Sequence, residues 1–272
     1  MDEERDGSRP QTVLLALLGA YVLGRDVRVA TAGVLELLRR AEVSEQAARS
    51  TLSRMARRGL LERTRRGREV YLGLTPLAER VLTDGGERMW HTGPVNDGWD
   101  GTWTLLSYSL PDSWTRQRHA LRARLVWAGF GSLRGGLWLA AGPVDVAAVV
   151  DGLEAAAHLS VFTATALPPT DVDALVRDAW DLTVPAGDYE RFVRRWSDPV
   201  RAPADPLARQ VLLEADWLRA IRHDPRLPVG HLPASWPAPA AHALFLRRHG
   251  EVAPEAARVA AEILRSVPAG VS

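Results

Sequence analysis

Apolar residues in the first part of the chain recur at helical spacing and then give way to alternation. Leu14, Leu15, Leu17, Leu18, Tyr21 and Val22 form one stripe, which predicts a helix over about Thr12–Leu23 that Gly24 ends. Val34, Leu35, Leu37 and Leu38 predict a second helix with Thr31 as its N-cap. After the link Ala41-Glu42-Val43, Ser44 caps a predicted third helix that reaches about Arg58 and stops at Gly59. Leu60–Tyr71 reads as a hairpin with Arg65-Arg66-Gly67-Arg68 at its tip. Leu74-Thr75-Pro76 opens a fourth helix, expected to end at the Asp84-Gly85-Gly86 breaker. Three helices followed by a basic hairpin is the order of a winged helix-turn-helix.

His91–Asp100 reads as a linker, and after it the pattern changes. Thr102–Leu110 predicts a strand, Trp114–Ala128 a basic helix, Phe130–Leu133 and Gly136–Ala141 two short strands joined through Arg134-Gly135. Pro143 opens a helix to about Ala157, and His158–Ala166 is a last strand. The order βαββαβ is that of a ferredoxin-like domain. From Pro169 onward, helical runs near Asp171–Leu182, Asp188–Ser197, Asp205–His223, Ala238–His249 and Pro254–Ser266 are punctuated by proline. The expected organisation is α+β multidomain: residues 1–90, a linker over 91–100, a middle domain over 101–168, and a helical domain over 169–272 that serves dimerisation or effector binding.

Composition narrows the function classes. The 272 residues are enough for more than one domain, at roughly 100–200 residues each. There is no cysteine, so disulfides, thiol chemistry and Cys-ligated metals are excluded, which fits a reducing cytoplasm. No basic flank precedes the apolar run Leu14–Leu18, which is too short for a signal peptide or a membrane span. All 34 basic residues are arginine, yet the net charge is only +1, so position matters more than amount.

The position is informative. On a helix starting at Ser44, residues Ala48, Leu52 and Met55 fall on one side, and Gln46, Ser50, Ser53 and Arg57 on the other, flanked by Arg49 and Arg54. Ser44–Arg68 holds eight arginines against Glu45 and Glu62, a local charge of +6. Such a concentration on one helix and the adjoining hairpin is an electrostatic footprint for phosphate. Early positions of a reading helix reach base edges, which nominates Gln46, Arg49, Ser50 and Ser53. Arg54, Arg57, Arg58, Arg63, Arg65, Arg66 and Arg68 are nominated for the phosphate backbone or the adjacent minor groove. A solvated face in an arginine-biased protein is the plain alternative.

These stretches resemble a known family. Leu14–Val22, Val43–Leu61 (VSEQAARSTLSRMARRGLL) and Gly67–Thr75 (GREVYLGLT) are similar to the amino-terminal domain of PaaX-type repressors, regulators named for phenylacetic-acid degradation. The likeness continues in Trp99-Asp100-Gly101-Thr102-Trp103, in Leu110-Pro111, in Leu125–Leu139, in Asp224-Pro225-Arg226-Leu227-Pro228, and in Ser235-Trp236-Pro237. It departs at Ala238-Pro239, where the family tends to place glycine. The resemblance implies a winged-helix domain, a ferredoxin-like, Cas2-like middle domain and a helical C-terminal domain. It also implies a homodimer that binds double-stranded operator DNA and is released by an aryl- or acyl-CoA effector.

Other chemistry is weaker. A Cas2-like fold invites a metal-dependent nuclease or an acyl-CoA-processing enzyme, with Asp112 as the metal-binding aspartate. One aspartate beside Ser113 is a poor ligand set, and the N-cap region of the following helix explains it better. Arg118 and Arg122, with Trp138, could hold CoA phosphates and stack on a ring. Arginines solvating an outer face and a tryptophan packing the core is the competing explanation. Trp99 and Trp103 are expected to seat the first domain on the middle one. No cofactor, no metal site and no membrane partner is expected.

Overall fold

The computed structural model of the chain describes residues 2–90, 96, 98–133, 136–198, 200 and 202–269, with side chains from Pro10 onward. Two compact units make it up: Met1–Thr92 with Arg191–Arg219 and Ala241–Ser272, and Gly93–Glu190 with Ala220–Ala240. The stretch after Pro169 thus contributes to both. Most of the residues expected to form the linker, 91–95 and 97, lie outside the described residues, as does the expected turn Arg134-Gly135.

The first unit begins with helix α1 (Asp2–Tyr21), strand β1 (Val27–Ala30), helices α2 (Thr31–Arg40) and α3 (Glu45–Arg57), strands β2 (Leu61–Arg66) and β3 (Glu69–Leu74), and helix α4 (Pro76–Trp90). The apolar stripes close on one another. Leu14, Leu17 and Leu18 of α1, Val34, Leu37 and Leu38 of α2, and Ala48, Leu52 and Met55 of α3 are all buried. Each such leucine is worth roughly 1.5–3 kcal/mol of burial, far more than any propensity in these short helices.

Two expectations fail here, and one strand is new. Strand β1 was not foreseen, and because it runs straight into α2, the N-cap is Ala30 and Thr31 is already helical, with no side-chain cap. Helix α4 continues through Gly85 and Gly86, since Leu82 and Met89 are buried on its inner side and outweigh about 1 kcal/mol per glycine.

The second unit carries strand β4 (Thr102–Tyr108), helix α5 (Thr115–Trp127), strands β5 (Gly131–Ser132) and β6 (Leu137–Ala141), helix α6 (Val146–Val150), strand β7 (Leu159–Thr165) and helix α7 (Val172–Ala179). The helix expected from Pro143 to Ala157 is instead short α6 followed by a 3-10 turn, Glu154–His158. Its sheet has the order β5-β6-β4-β7, antiparallel throughout. One face packs Leu106 and Trp138 against Leu121, Leu125, Val146 and Val150. The other packs Trp103 and Leu139 against Val176, Leu227 and Trp180. Trp99 and Trp103 therefore work inside this unit, edge to face at 5.0 Å, with Trp99 also against His231 at 5.3 Å. Alternation along β4 turns Trp103 into that inner face, which corrects the expected seating role.

Helices α8 (Thr183–Trp196), α9 (Pro206–Ala220) and α10 (Ala238–Ile263) and strand β8 (Ser266–Pro268) complete the chain. Pro254 was expected to open a new helix but lies inside α10, whose buried row Ala241, Phe245, Val252, Ala256 and Ala260 runs past it without a break. In the first unit, Trp217 stacks on Phe245 at 4.9 Å. A buried polar chain joins α1, α9 and α10. The Tyr21 hydroxyl donates to Gln210 Oε1 at 2.8 Å, Gln210 Nε2 donates to Glu214 Oε1 at 2.8 Å, and His249 Nε2 lies 3.1 Å from the same oxygen. Strand β8, also unforeseen, pairs antiparallel with β1, giving the sheet order β2-β3-β1-β8. Among the described residues, no helix is long and apolar enough to cross a membrane.

Candidate nucleic-acid interface

Helix α3 starts as its sequence requires. Ser44 Oγ accepts from Ala47 N–H at 3.3 Å, satisfying one of the orphan donors of the first turn. It stops at Gly59, whose φ of 70° is the left-handed conformation that a helix end needs. The amides of Gly59 and Leu60 close back on Ala56 and Met55. Thr75 Oγ1 then donates to Gly59 O at 2.6 Å, tying the helix end to the far side of the hairpin.

The inward row Ala48, Leu52 and Met55 is buried as the spacing predicts, and Thr51 joins it. That leaves Gln46, Arg49, Ser50, Arg57 and Arg58 exposed, with Ser53 and Arg54 half-buried at the margin. Arg54 donates to Thr51 Oγ1 at 3.1 Å. Arg49 pairs with Glu45 one turn earlier at 2.8 Å. Both partners are largely exposed, so that pair is worth only about 0.3–0.5 kcal/mol and does not withhold Arg49 from a stronger acceptor.

The hairpin presents two faces. Leu61 is buried, and by strand alternation Arg63 and Arg65 share its side, whereas Glu62, Thr64 and Arg66 point the other way. Arg63, Arg65 and Arg68 are exposed, and Arg65 Nε donates to Gly67 O at 3.2 Å across the tip. On the opposite face Arg28 of β1 donates to Thr64 Oγ1 at 2.7 Å and pairs with Glu62 at 3.3 Å. Arg66 donates to Pro268 O of β8 at 3.3 Å, and Arg265 pairs with Glu69 at 2.7 Å. Glu69 also accepts from the Tyr71 hydroxyl at 2.8 Å, which raises the Tyr71 pKa.

The structure thus gathers Arg49, Arg57, Arg58, Arg63, Arg65 and Arg68 as exposed cations and draws Arg66 into the sheet's other face. Among the described residues, Arg57, Arg58, Arg63 and Arg68 have no ion-pair partner. Sequence reasoning missed Arg28, Thr51 and Arg265. None of the three had a readable signal, since the alternation of Val27-Arg28-Val29 is too brief to mark a strand.

With this geometry in place, three comparisons bear on the chain. Residues 9–77 match the family model described as "PaaX-like protein", residues 96–176 "PaaX protein central Cas2-like domain", and residues 180–262 "PaaX-like protein C-terminal domain". The chain belongs to the PaaX family. The Escherichia coli K12 protein "Transcriptional repressor PaaX" is 26% identical over 259 residues, covering 90% of this chain and 81% of its own. An uncharacterised Mycobacterium tuberculosis protein, Rv0674, has a solved structure with a TM-score of 0.58 at 24% identity, covering 90% of this chain and 96% of that one. That second likeness concerns the fold alone.

The other nominated residues of this PaaX-family chain have structural partners. Arg118 donates to the carbonyls of Leu110 at 3.1 Å and Pro111 at 3.3 Å, and Arg122 Nε to the Tyr108 hydroxyl at 3.3 Å. Trp138 is buried in the core beneath α5. At 5% exposure the Trp138 ring has little free face for a ligand to stack on. Asp112 is exposed in the turn before α5 and does not cap it: the cap is Trp114, without a side-chain bond. No group of three or more His, Asp or Glu side chains suited to a metal surrounds it among the described residues.

Proposed function

We propose that this PaaX-family protein is a transcriptional repressor that binds double-stranded operator DNA through a winged helix-turn-helix made by α1–α3 and the β2–β3 hairpin. The observation that carries the reading is the division of α3. One side is sealed into the core, and the other holds Gln46, Arg49 and Ser50 beside the cationic row Arg57, Arg58, Arg63, Arg65 and Arg68. Gln46, Arg49, Ser50 and Ser53 read base edges in the major groove, and the later arginines of α3 with Arg63, Arg65 and Arg68 of the hairpin grip phosphates. The protein acts as a homodimer, because two reading helices suit half-sites one helical turn apart. Family membership supports an aryl- or acyl-CoA-type effector that releases the DNA. The middle domain takes the ferredoxin-like arrangement, which the strand order β5-β6-β4-β7 supports.

The test is a salt titration of binding to selected genomic DNA fragments, with and without a panel of acyl-CoA thioesters. Arg49→Ala should lose about 1–3 kcal/mol of discrimination at one base position. Arg65→Ala should weaken all sequences alike and lower the salt slope by roughly 1. Binding that is absent, or that ignores salt, refutes the reading.

A further inference from the structure

Helix α3 carries a single acidic residue, Glu45, in a segment that otherwise gathers cations. The other acid between Ser44 and Arg68 is Glu62, which pairs with Arg28 at 3.3 Å on the far face of the hairpin. Glu45 stands instead in the first turn of α3, on its exposed side, next to Gln46. Its side chain is 71% exposed and that of Arg49 63%. A carboxylate set among groups that grip phosphate weakens their hold, so its presence there calls for a reason. The positive end of the helix dipole supplies one, and it would leave Glu45 indifferent to base sequence.

The geometry of its pairing supplies another. Arg49 Nε and Nη2 both lie 2.8 Å from Glu45 Oε1, so one carboxylate oxygen holds one edge of the guanidinium fork. Among the described residues, Glu45 Oε2 and Arg49 Nη1 have no polar partner. The pair therefore presents an acceptor, Oε2, directly beside a two-pronged donor, the Nη1–Nη2 end of the fork. Major-groove base edges match this pattern. Cytosine offers only a donor there, its N4 amino group, and guanine only acceptors, O6 and N7.

We propose that Glu45 and Arg49 act together to read a cytosine and a guanine in neighbouring base pairs. The proposal rests on the DNA reading above and names part of the sequence it selects. Glu45 Oε2 accepts from cytosine N4, and Arg49 Nη1 and Nη2 donate to guanine O6 and N7. Four residues advance α3 by about 6 Å while the head groups stay in contact, which suits one base step of about 3.4 Å. Selection also works by exclusion. At the Glu45 position guanine and thymine set acceptors against the carboxylate, and adenine sets N7 beside its one donor. Glu45 also holds in place a guanidinium that otherwise swings on a long flexible stem.

Selection of randomised double-stranded oligonucleotides by the full-length protein, read by sequencing, tests this. Wild type should enrich a cytosine and a guanine in neighbouring base pairs. Glu45→Gln should lower the cytosine preference by roughly tenfold, because an amide both donates and accepts, and should keep the guanine. Arg49→Ala should flatten the guanine position next to it. Glu45→Asp keeps the charge that the helix start favours but is one methylene shorter, so it too should lose the cytosine. A selected sequence that is unchanged in Glu45→Gln, or altered positions that are not neighbours, overturns the proposal and leaves the DNA reading standing. So does Glu45→Asp selecting as wild type does, since a role confined to the helix dipole predicts that result. A wild-type protein that enriches no sequence overturns both. If Glu45→Gln loses its fold by circular dichroism, Glu45→Asp decides.

Discussion

Gly33 sits inside α2, where alanine would ordinarily stabilise the helix by about 1 kcal/mol. The surroundings reverse that sign. A Cβ at Gly33 would lie 2.5 Å from the carbonyl oxygen of Ile263 and 3.3 Å from Leu264 Cα, both main-chain atoms at the end of α10. An ordinary carbon–oxygen contact is about 3.3–3.6 Å, so roughly an ångström must be recovered by moving backbone. The backbone that would move leads into β8 and holds the bond from Ala30 N–H to Arg265 O at 2.8 Å. Overpacking of this kind costs about 1–3 kcal/mol, and each strained ladder bond adds about 1. Gly33→Ala should therefore be net destabilising by about 1–3 kcal/mol, lowering Tm by roughly 2–4 °C per kcal/mol. Gly86→Ala in α4 is the control, since nothing lies within 4 Å of its Cβ position, and it should gain up to about 1 kcal/mol. Thermal unfolding followed by circular dichroism compares the two. If Gly33→Ala melts at or above wild type, as Gly86→Ala should, the packing of α10 against α2 is not as described.

Arg265→Glu should loosen the hairpin by setting two carboxylates together, and adding Glu69→Arg should restore it. The pair is largely exposed, so a double-mutant cycle should give about 0.2–1 kcal/mol, and faster amide exchange in β3 should report the single variant. Burial, reinforced by the negative Glu214, raises the Tyr21 hydroxyl above its ordinary value of 10.0. The native state thus holds that proton more tightly than the unfolded chain, so its contribution is intact below pH 10 and is lost as pH rises beyond it. Tyr21→Phe should abolish that alkaline loss while costing about 1–3 kcal/mol at neutral pH, because Gln210 Oε1 loses its donor. An unchanged alkaline transition in Tyr21→Phe would remove Tyr21 from this account.

The sequence was most readable where the signal is local. Helix α3 could be bounded almost to the residue, because Ser44, the row Ala48, Leu52 and Met55, and Gly59 all act within thirteen helical residues. The second unit's strands were readable for a similar reason, each being followed by a turn and a change of period. What escaped was non-local or brief. Strand β1 has four residues and β8 three, too few for alternation to be told from chance, and their mutual register, Val27 with Pro268, spans almost the whole chain. Gly85, Gly86 and Pro254 misled for the opposite reason. Their local preferences are real, but a buried row on either side outweighs about 1 kcal/mol for a glycine or about 3 for a proline.

The same contrast governs the candidate interface. A run of arginines at a hairpin tip reads as a single cationic patch, yet a strand has period two, so neighbours in sequence face opposite ways. The register fixes which way, because Leu61 opposite Leu74 must face the core. From that one constraint Arg63 and Arg65 fall on the side of α3, while Arg66 falls beside Thr64 and meets Pro268. The phosphate grip proposed here is therefore uneven. Arg65 lies on the face that α3 shares, and Arg66 on the face that the C-terminal strand occupies. Substituting the two separately should give different results, although they are adjacent and chemically identical: Arg65→Ala should act on DNA affinity, and Arg66→Ala first on the hold between β2 and β8.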